Sequence, residues 1–253
     1  MTSSILLTGG TGTLGRLVTP LLRDAGCEMR VLSRHSHESG DGIEYVTGDL
    51  LKGEGIEPAV DGAEIILHVA GGPKGDDEAT RNLVRAASRA GVRHLVYISV
   101  IGADRVPLGY FRSKLGAERA VADSGLPWTT LRAAQFHDLV LTLAQKMAKL
   151  PVIPIPGGLR FQPVDAREVA ARLVELTLDK PAGLVPDLAG PKVYEMADLI
   201  RGYLRARGKR RLMMPVRIPG EAGRAYRAGE NLSLEGAAVG KRTWEDFLAE
   251  RLR

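Results

Sequence analysis

The chain has 253 residues, 44% apolar and 26% charged, a composition that suits one α/β domain with a small appended lobe. No apolar run approaches a membrane span, and Met1-Thr2-Ser3-Ser4 leads into a short strand without a signal-peptide pattern, so a cytoplasmic location with no membrane partner is expected. Cys27 is the only cysteine, so no internal disulfide can form. Net charge is +5 and the pI is near 9.4. The one tight basic run, residues 205–211, has no interleaved aromatics and no nucleic-acid motif; it reads as a solvated surface, and no nucleic acid is expected.

The first predicted strand, Ile5-Leu6-Leu7, runs into T-G-G-T-G-T-L-G, and an apolar helical pattern (Leu14, Leu17, Val18, Leu21, Leu22) follows at once. Strand, glycine turn and helix in that order make a dinucleotide-binding unit. Glycines at 9, 12 and 15 let the backbone approach a pyrophosphate, and the helix N-terminus attracts its charge. Thr11, Thr13 and Leu14 belong to the same turn. Glu28–Ser33 is the second strand. It ends at Ser33 and Arg34 with no acid before Glu38, where a carboxylate would bind a ribose 2′-hydroxyl; a guanidinium and a hydroxyl suit a 2′-phosphate instead, pointing to NADP(H). The modest positive charge also suits a phosphorylated cofactor.

A third strand, Ile43–Val46, ends at Gly48, Asp49 and Leu50; Asp49 either accepts from an adenine amino group or caps the following turn. A short helix is predicted at Glu54–Val60. The fourth strand, Ala63–Val69, ends in Ala70, Gly71 and Gly72, small enough for the backbone to approach a ribose. Helix Asp76–Ala90 stops at Gly91, and His94–Ser99 is the fifth strand. Helix Phe111–Asp123 and strand Trp128–Arg132 complete an alternation that predicts an α/β, doubly wound parallel sheet over residues 1–135.

From Phe136 the rhythm changes, and residues 136–253 are expected to form a smaller substrate lobe packed as one unit with the core. A helix at Phe136–Lys149, a proline-glycine stretch at Pro151–Gly158, an extended piece at Leu159–Val164 and a helix at Asp165–Thr177 capped by Asp165 are predicted in turn. A strand at Leu184–Leu188 and helices at Glu195–Arg207 and Trp244–Leu252 follow.

Cofactor sites in such sheets lie at the carboxyl ends of the strands. Ser99 ends the fifth strand there. Tyr110 and Lys114 lie four apart, on one helix face. Tyr110 could exchange a proton with a substrate oxygen, Ser99 polarise that oxygen, and Lys114 hold the nicotinamide ribose. Gln135, Phe136 and His137 follow the sixth strand as candidate substrate contacts, with Ala133 and Phe136 beside the cofactor. Phe136 could stack on the nicotinamide or the substrate and His137 could donate a second proton; both could equally be packing residues. No metal is expected.

The glycine turn, S-R after the second strand, G-D-L, A-G-G, Y-I-S, Y-F-R-S-K and L-P-W-T-T-L-R together resemble the short-chain dehydrogenase/reductase superfamily. Q-P-V-D-A-R-E-V-A and R-T-W-E-D-F-L-A narrow the resemblance to its atypical NmrA-like members. It implies a Rossmann fold, NADP binding at Gly9, Gly12 and Gly15, and the Ser99, Tyr110 and Lys114 roles. The chain departs from the pattern at Asp76, where asparagine is often found, and at Ala133, where L-R-P is common.

The expected activity is NADPH-dependent reduction of a carbonyl, quinone or activated double bond in a small, fairly apolar substrate. Two alternatives stay open: an NADP(H)-binding redox sensor acting on a protein partner, and a redox-neutral enzyme that borrows and returns hydride. A monomer or homodimer is expected.

Overall fold

Ile5, Leu6 and Leu7 have no exposed surface in the computed structural model, as a strand covered on both faces requires. The structure describes residues 3–40 and 42–252, so the leader reading at Met1 and Thr2 lies outside the described residues. In chain order, β1 (Ser4–Thr8), α1 (Thr13–Asp24), β2 (Glu28–Ser33), β3 (Ile43–Thr47), α2 (Ile56–Val60) and β4 (Ile65–His68) come first. Then follow α3 (Asp76–Ala90), β5 (His94–Val100), α4 (Gly109–Ala122) and β6 (Trp128–Ala133). The remainder holds α5 (His137–Met147), β7 (Val152–Pro156), β8 (Arg160–Phe161), α6 (Ala166–Leu178), β9 (Gly183–Leu184) and β10 (Leu188–Ala189). Last come β11 (Tyr194–Glu195), α7 (Met196–Ala206), β12 (Leu212–Val216), α8 (Gly220–Ala228), β13 (Ala238–Val239) and α9 (Trp244–Arg251).

These elements divide into two units, neither continuous in sequence. The first takes Met1–Ser99, Arg112–Leu131 and Val169–Val185; the second takes Val100–Phe111, Arg132–Glu168 and Pro186–Arg253. In the first unit the strands run in parallel in the order β3-β2-β1-β4-β5-β6. That order reverses direction beside β1, which opens a crevice at the strands' carboxyl ends. Leu6, Ile66, Leu83, Leu95, Tyr97 and Val121 share its core. Helix α3 matches its predicted bounds because its ends are chemically marked. Asp76, Asp77 and Glu78 sit in its first turn, Arg89 in its last, and left-handed glycines at 75 and 91 flank it.

The second unit is built around Trp244, fully buried, whose indole N–H donates to the Leu199 carbonyl at 3.0 Å. Val140, Ile153, Ile200, Leu204 and Phe247 share that core. A capping box between Thr243 and Asp246 starts α9, which begins at Trp244 as the sequence predicts. Elsewhere this unit departs from expectation. The proline-glycine stretch contains strand β7, paired in parallel with β12, which was not foreseen. Pro154 sits at an exposed strand position, where its missing N–H costs little. The predicted strand at 184–188 is two short pieces: β9 pairs with Thr129 and Thr130, and β10 with Ala133. The extended piece at 159–164 pairs with β11 at Arg160 and Phe161 and bridges Phe136 at Val164. Helix α8 was also unforeseen.

Candidate active site

The glycine turn is closed by its own backbone. Gly9 has φ +75°, and a Cβ there would lie 2.6 Å from the Cα and N of Ala70. A Cβ on Gly15 would lie 2.2 Å from the Gly9 carbonyl oxygen. Both positions demand glycine. At Gly12 a Cβ would meet the Gly9 carbonyl oxygen at 3.2 Å, tight but less severe than at Gly9 or Gly15. Gly10, which the sequence reading did not single out, also has no room: a Cβ would meet Val31 Cγ1 at 2.6 Å. Gly12 caps α1 with no side-chain bond and no acid in the first turn, leaving the amides near Thr13, Leu14 and Gly15 without a side-chain acceptor. Thr11, Gly12 and Thr13 are exposed beside them. This cradle fits a pyrophosphate.

At the next strand end, Ser33 is buried and Arg34 exposed. The Ser33 hydroxyl accepts from the His35 amide at 3.2 Å and meets His37 Nε2 at 3.1 Å; the His37 ring packs 4.9 Å from Tyr45. His37 is thus an unforeseen neighbour of this corner. Asp49 Oδ1 accepts from the amides of Leu51 at 2.9 Å and Lys52 at 3.3 Å, the turn-capping arrangement. The Leu50 carbonyl accepts from Asn82 at 2.9 Å.

The loop after β4 is held from beneath. The Gly72 amide donates to Asp76 Oδ1 at 2.7 Å, while Asp76 Oδ2 pairs with Lys114 Nζ at 2.9 Å. The ammonium also donates to the Tyr97 hydroxyl and the Ile98 carbonyl, each at 3.3 Å. A Cβ on Gly71 would come 3.3 Å from both partners of the ion pair. Lys114 and Asp76 are 5% and 6% exposed, so each charge needs the other. Ser99 is buried, and its hydroxyl makes no hydrogen bond among the described residues.

A second chain of bonds joins the same loop to the same helix. Thr80 Oγ1 donates to the Asp76 carbonyl at 2.6 Å, so it accepts from His68 Nε2–H at 3.1 Å. Nδ1 of His68 is therefore bare and accepts from the Thr8 hydroxyl at 2.6 Å; Thr8 in turn accepts from the Ala70 amide at 3.4 Å. Burial and the nearby Lys114 ammonium push the His68 imidazole down to about 3, keeping it neutral. Its ring stacks 5.2 Å from Tyr97. Sequence reading missed His68, Thr8 and Thr80; the strand-end positions of Thr8 and His68 were the available signal.

In the second unit, Tyr110 is 39% exposed, four residues before Lys114 on α4. Its ring meets Phe111 edge-on at 5.5 Å; Phe111 meets Tyr226 at 6.3 Å, and Tyr226 meets Phe161 at 5.6 Å. Ala133 is buried, paired with Leu188. Gln135 has a buried Oε1 with no hydrogen bond among the described residues, and Phe136 is half-buried at the start of α5. His137 has no exposed surface and packs 5.8 Å from Trp244 and 5.2 Å from Phe247. Burial lowers its affinity for a proton.

A glycine cradle feeding an uncapped helix, at the carboxyl end of β1 in a 3-2-1-4-5-6 parallel sheet, defines a Rossmann-type dinucleotide-binding protein. The chain belongs to the NAD(P)H-binding family, whose profile matches residues 9–176. This agrees with the resemblance to NmrA-like, atypical short-chain dehydrogenase/reductases. It is 33% identical over 195 residues to the (4-alkanoyl-5-oxo-2,5-dihydrofuran-3-yl)methyl phosphate reductase of Streptomyces griseus, covering 74% of this chain and 68% of that protein. It is 27% identical to the NAD(P)H azoreductase of Xenophilus azovorans, covering 81% and 74% respectively. The fold is similar to an NADPH-dependent quinone oxidoreductase from Escherichia coli complexed with NADPH, with TM-score 0.85 and 20% identity over 98% of this chain and all of that one (100%).

Proposed function

We propose that the protein is an NADPH-dependent oxidoreductase that reduces a carbonyl, quinone or activated double bond in a small, fairly apolar substrate. The observation that carries this reading is the buried, unpartnered Ser99 hydroxyl at the end of β5, the strand whose Ile98 carbonyl holds Lys114. A buried hydroxyl left without a partner is costly, and a substrate oxygen would satisfy it. The names of the reductase relatives support the same class.

NADPH, when bound, supplies the hydride. Gly9, Thr11, Gly12, Thr13, Leu14 and Gly15 would hold its pyrophosphate, and Ser33 and Arg34 its 2′-phosphate. Ala70, Gly71, Gly72 and Lys114 would face the ribose nearer the reacting ring. Ser99 donates a hydrogen bond to the substrate oxygen. Tyr110 gives that oxygen its proton and regains one from solvent through its exposed edge. Asp76 is a positioning residue: one carboxylate fixes the Lys114 ammonium and the Gly72 amide together. Gln135 and Phe136 remain substrate-contact candidates; His137, without accessible surface, is left out.

A second reading, an NADP(H)-binding redox sensor, draws on the Lys114 ammonium being already engaged by Asp76, Tyr97 and Ile98. NADPH consumption against quinones, aromatic ketones, azo dyes and enones, with NADH in parallel, separates the two. Turnover that prefers NADPH, with the preference reduced about tenfold or more in Arg34→Ala, is expected of the reductase. NADPH binding with no consumption across the panel contradicts the reductase and favours the sensor.

A further inference from the structure

We propose that the outer face of the β7–β12 sheet seats the protein on an anionic lipid surface. The parallel register sets Val152 beside Leu212, Pro154 beside Met214 and Pro156 beside Val216. Alternate strand residues share a face, so this face is apolar at every position. Leu212 is 68% exposed, Met214 51% and Val152 38%, while Ile153 and Ile155, on the other face of β7, are buried in the core. A strand face turned to water ordinarily alternates to polar residues, so six apolar ones in register mark a contact surface.

The charge around this face says what covers it. Lys149, Pro151, Arg210, Arg211 and Leu212, where both strands begin, line a shallow depression of about 370 Å³. Lys209 lies just before it, and Arg217 follows β12 at the other end. The Arg211 guanidinium bonds only the Arg210 carbonyl, and no carboxylate pairs with Lys149, Arg210 or Arg211 among the described residues. A second copy would cover the apolar side chains but bring more cations and no anion to this corner. Nucleic acid would meet the cations but gain nothing from Leu212, Met214 and Val152. An anionic bilayer surface answers both: phosphates at the basic corner, and the acyl boundary for the apolar face. This departs from the sequence expectations of a solvated basic run and no membrane partner. It is independent of the reductase reading, since it uses no residue of that site.

The test is co-sedimentation of the full chain with phosphatidylcholine vesicles, with and without phosphatidylglycerol. Wild type is expected to sediment with the anionic vesicles and not with phosphatidylcholine alone, and to be released by high salt. Arg210→Gln with Arg211→Gln should lower the partition coefficient about thirtyfold, the product of two lost charges. Leu212→Ser with Met214→Ser should lower it about tenfold or more through lost apolar burial. All four positions are exposed, so melting and NADPH binding should match wild type; if the apolar double variant melts early, Leu212→Ser alone carries the test. No sedimentation of wild type with anionic vesicles overturns the proposal. So does binding that survives loss of Leu212 and Met214. A dimer that dissociates in the apolar variant, without vesicle binding by wild type, assigns the face to a second copy instead.

Discussion

Asp76 in the first unit and Asp165 in the second are both almost fully buried, 6% and 2% exposed, and both stand at the head of a helix. Their partners differ. Asp76 faces one lysine that is itself buried, and its other oxygen holds a loop amide. Asp165 faces Arg167 at 2.7 Å and Arg242 at 3.1 Å, each about two-fifths exposed and each also paired with Glu250. Burial pushes the Asp165 carboxyl up, but bonds from Arg167 outweigh it and hold the group below the ordinary aspartate value. The histidines repeat the contrast: His68 is bonded at both ring nitrogens, whereas His137 is packed between aromatic rings. A carboxylate shared between charged, solvent-reaching arginines staples a fold. One shared between a buried ammonium and a glycine loop ties that loop to α4.

That contrast can be broken by substitution, and the largest effect belongs to Asp76→Ala. It leaves the Lys114 charge buried and alone, so urea unfolding should show a loss of about 3–5 kcal/mol, with weakened NADPH binding. Asp76→Asn keeps an acceptor for Gly72 and should lose less of both. Asp165→Ala should cost only about 1–3 kcal/mol, because its arginines can turn to water or to Glu250, and NADPH affinity should not move. Equal losses of NADPH affinity in Asp76→Ala and Asp165→Ala would erase the distinction.

His68 gives the next effect. Its folded-state value, about 3, lies below the ordinary 6.5. The unfolded chain therefore binds the extra proton first, and stability is complete above pH 6.5 and declines as pH falls towards 3. The slope from this group is about 1.4 kcal/mol per pH unit. His68→Gln, unable to take that proton, should flatten unfolding free energy against pH in this window, measured at matched salt. An unchanged slope would show that His68 is not held neutral.

Much of the first unit was legible because its signals are local. Ile5–Leu7 and His94–Ser99 are apolar runs of strand length, glycines punctuate the turns, and α3 carries its charges at the correct ends. The second unit hid its strands for physical reasons. Prolines at 154 and 215 argue against strands in sequence, yet both sit at exposed positions of a two-stranded pair where the missing N–H is tolerated. Strands β9 and β10 are too short to show a period. At the candidate site, the tight glycine turn at Gly9 and Gly15 and the helix carrying Lys114 could be read from spacing. The His68 relay could not, because Thr8 lies 60 residues from its partner. Asp76 showed itself in the sequence only as a departure from the usual asparagine, and the ion pair with Lys114 gives that departure a physical role.

Tyr110 is proposed to supply the proton in an NADPH-driven reduction. Its most direct test compares wild type and Tyr110→Phe for consumption of NADPH with whichever substrate the panel identifies. Loss of turnover by a factor of about 10²–10⁴, with NADPH affinity within about twofold of wild type, is the predicted result. Undiminished turnover in Tyr110→Phe would contradict it.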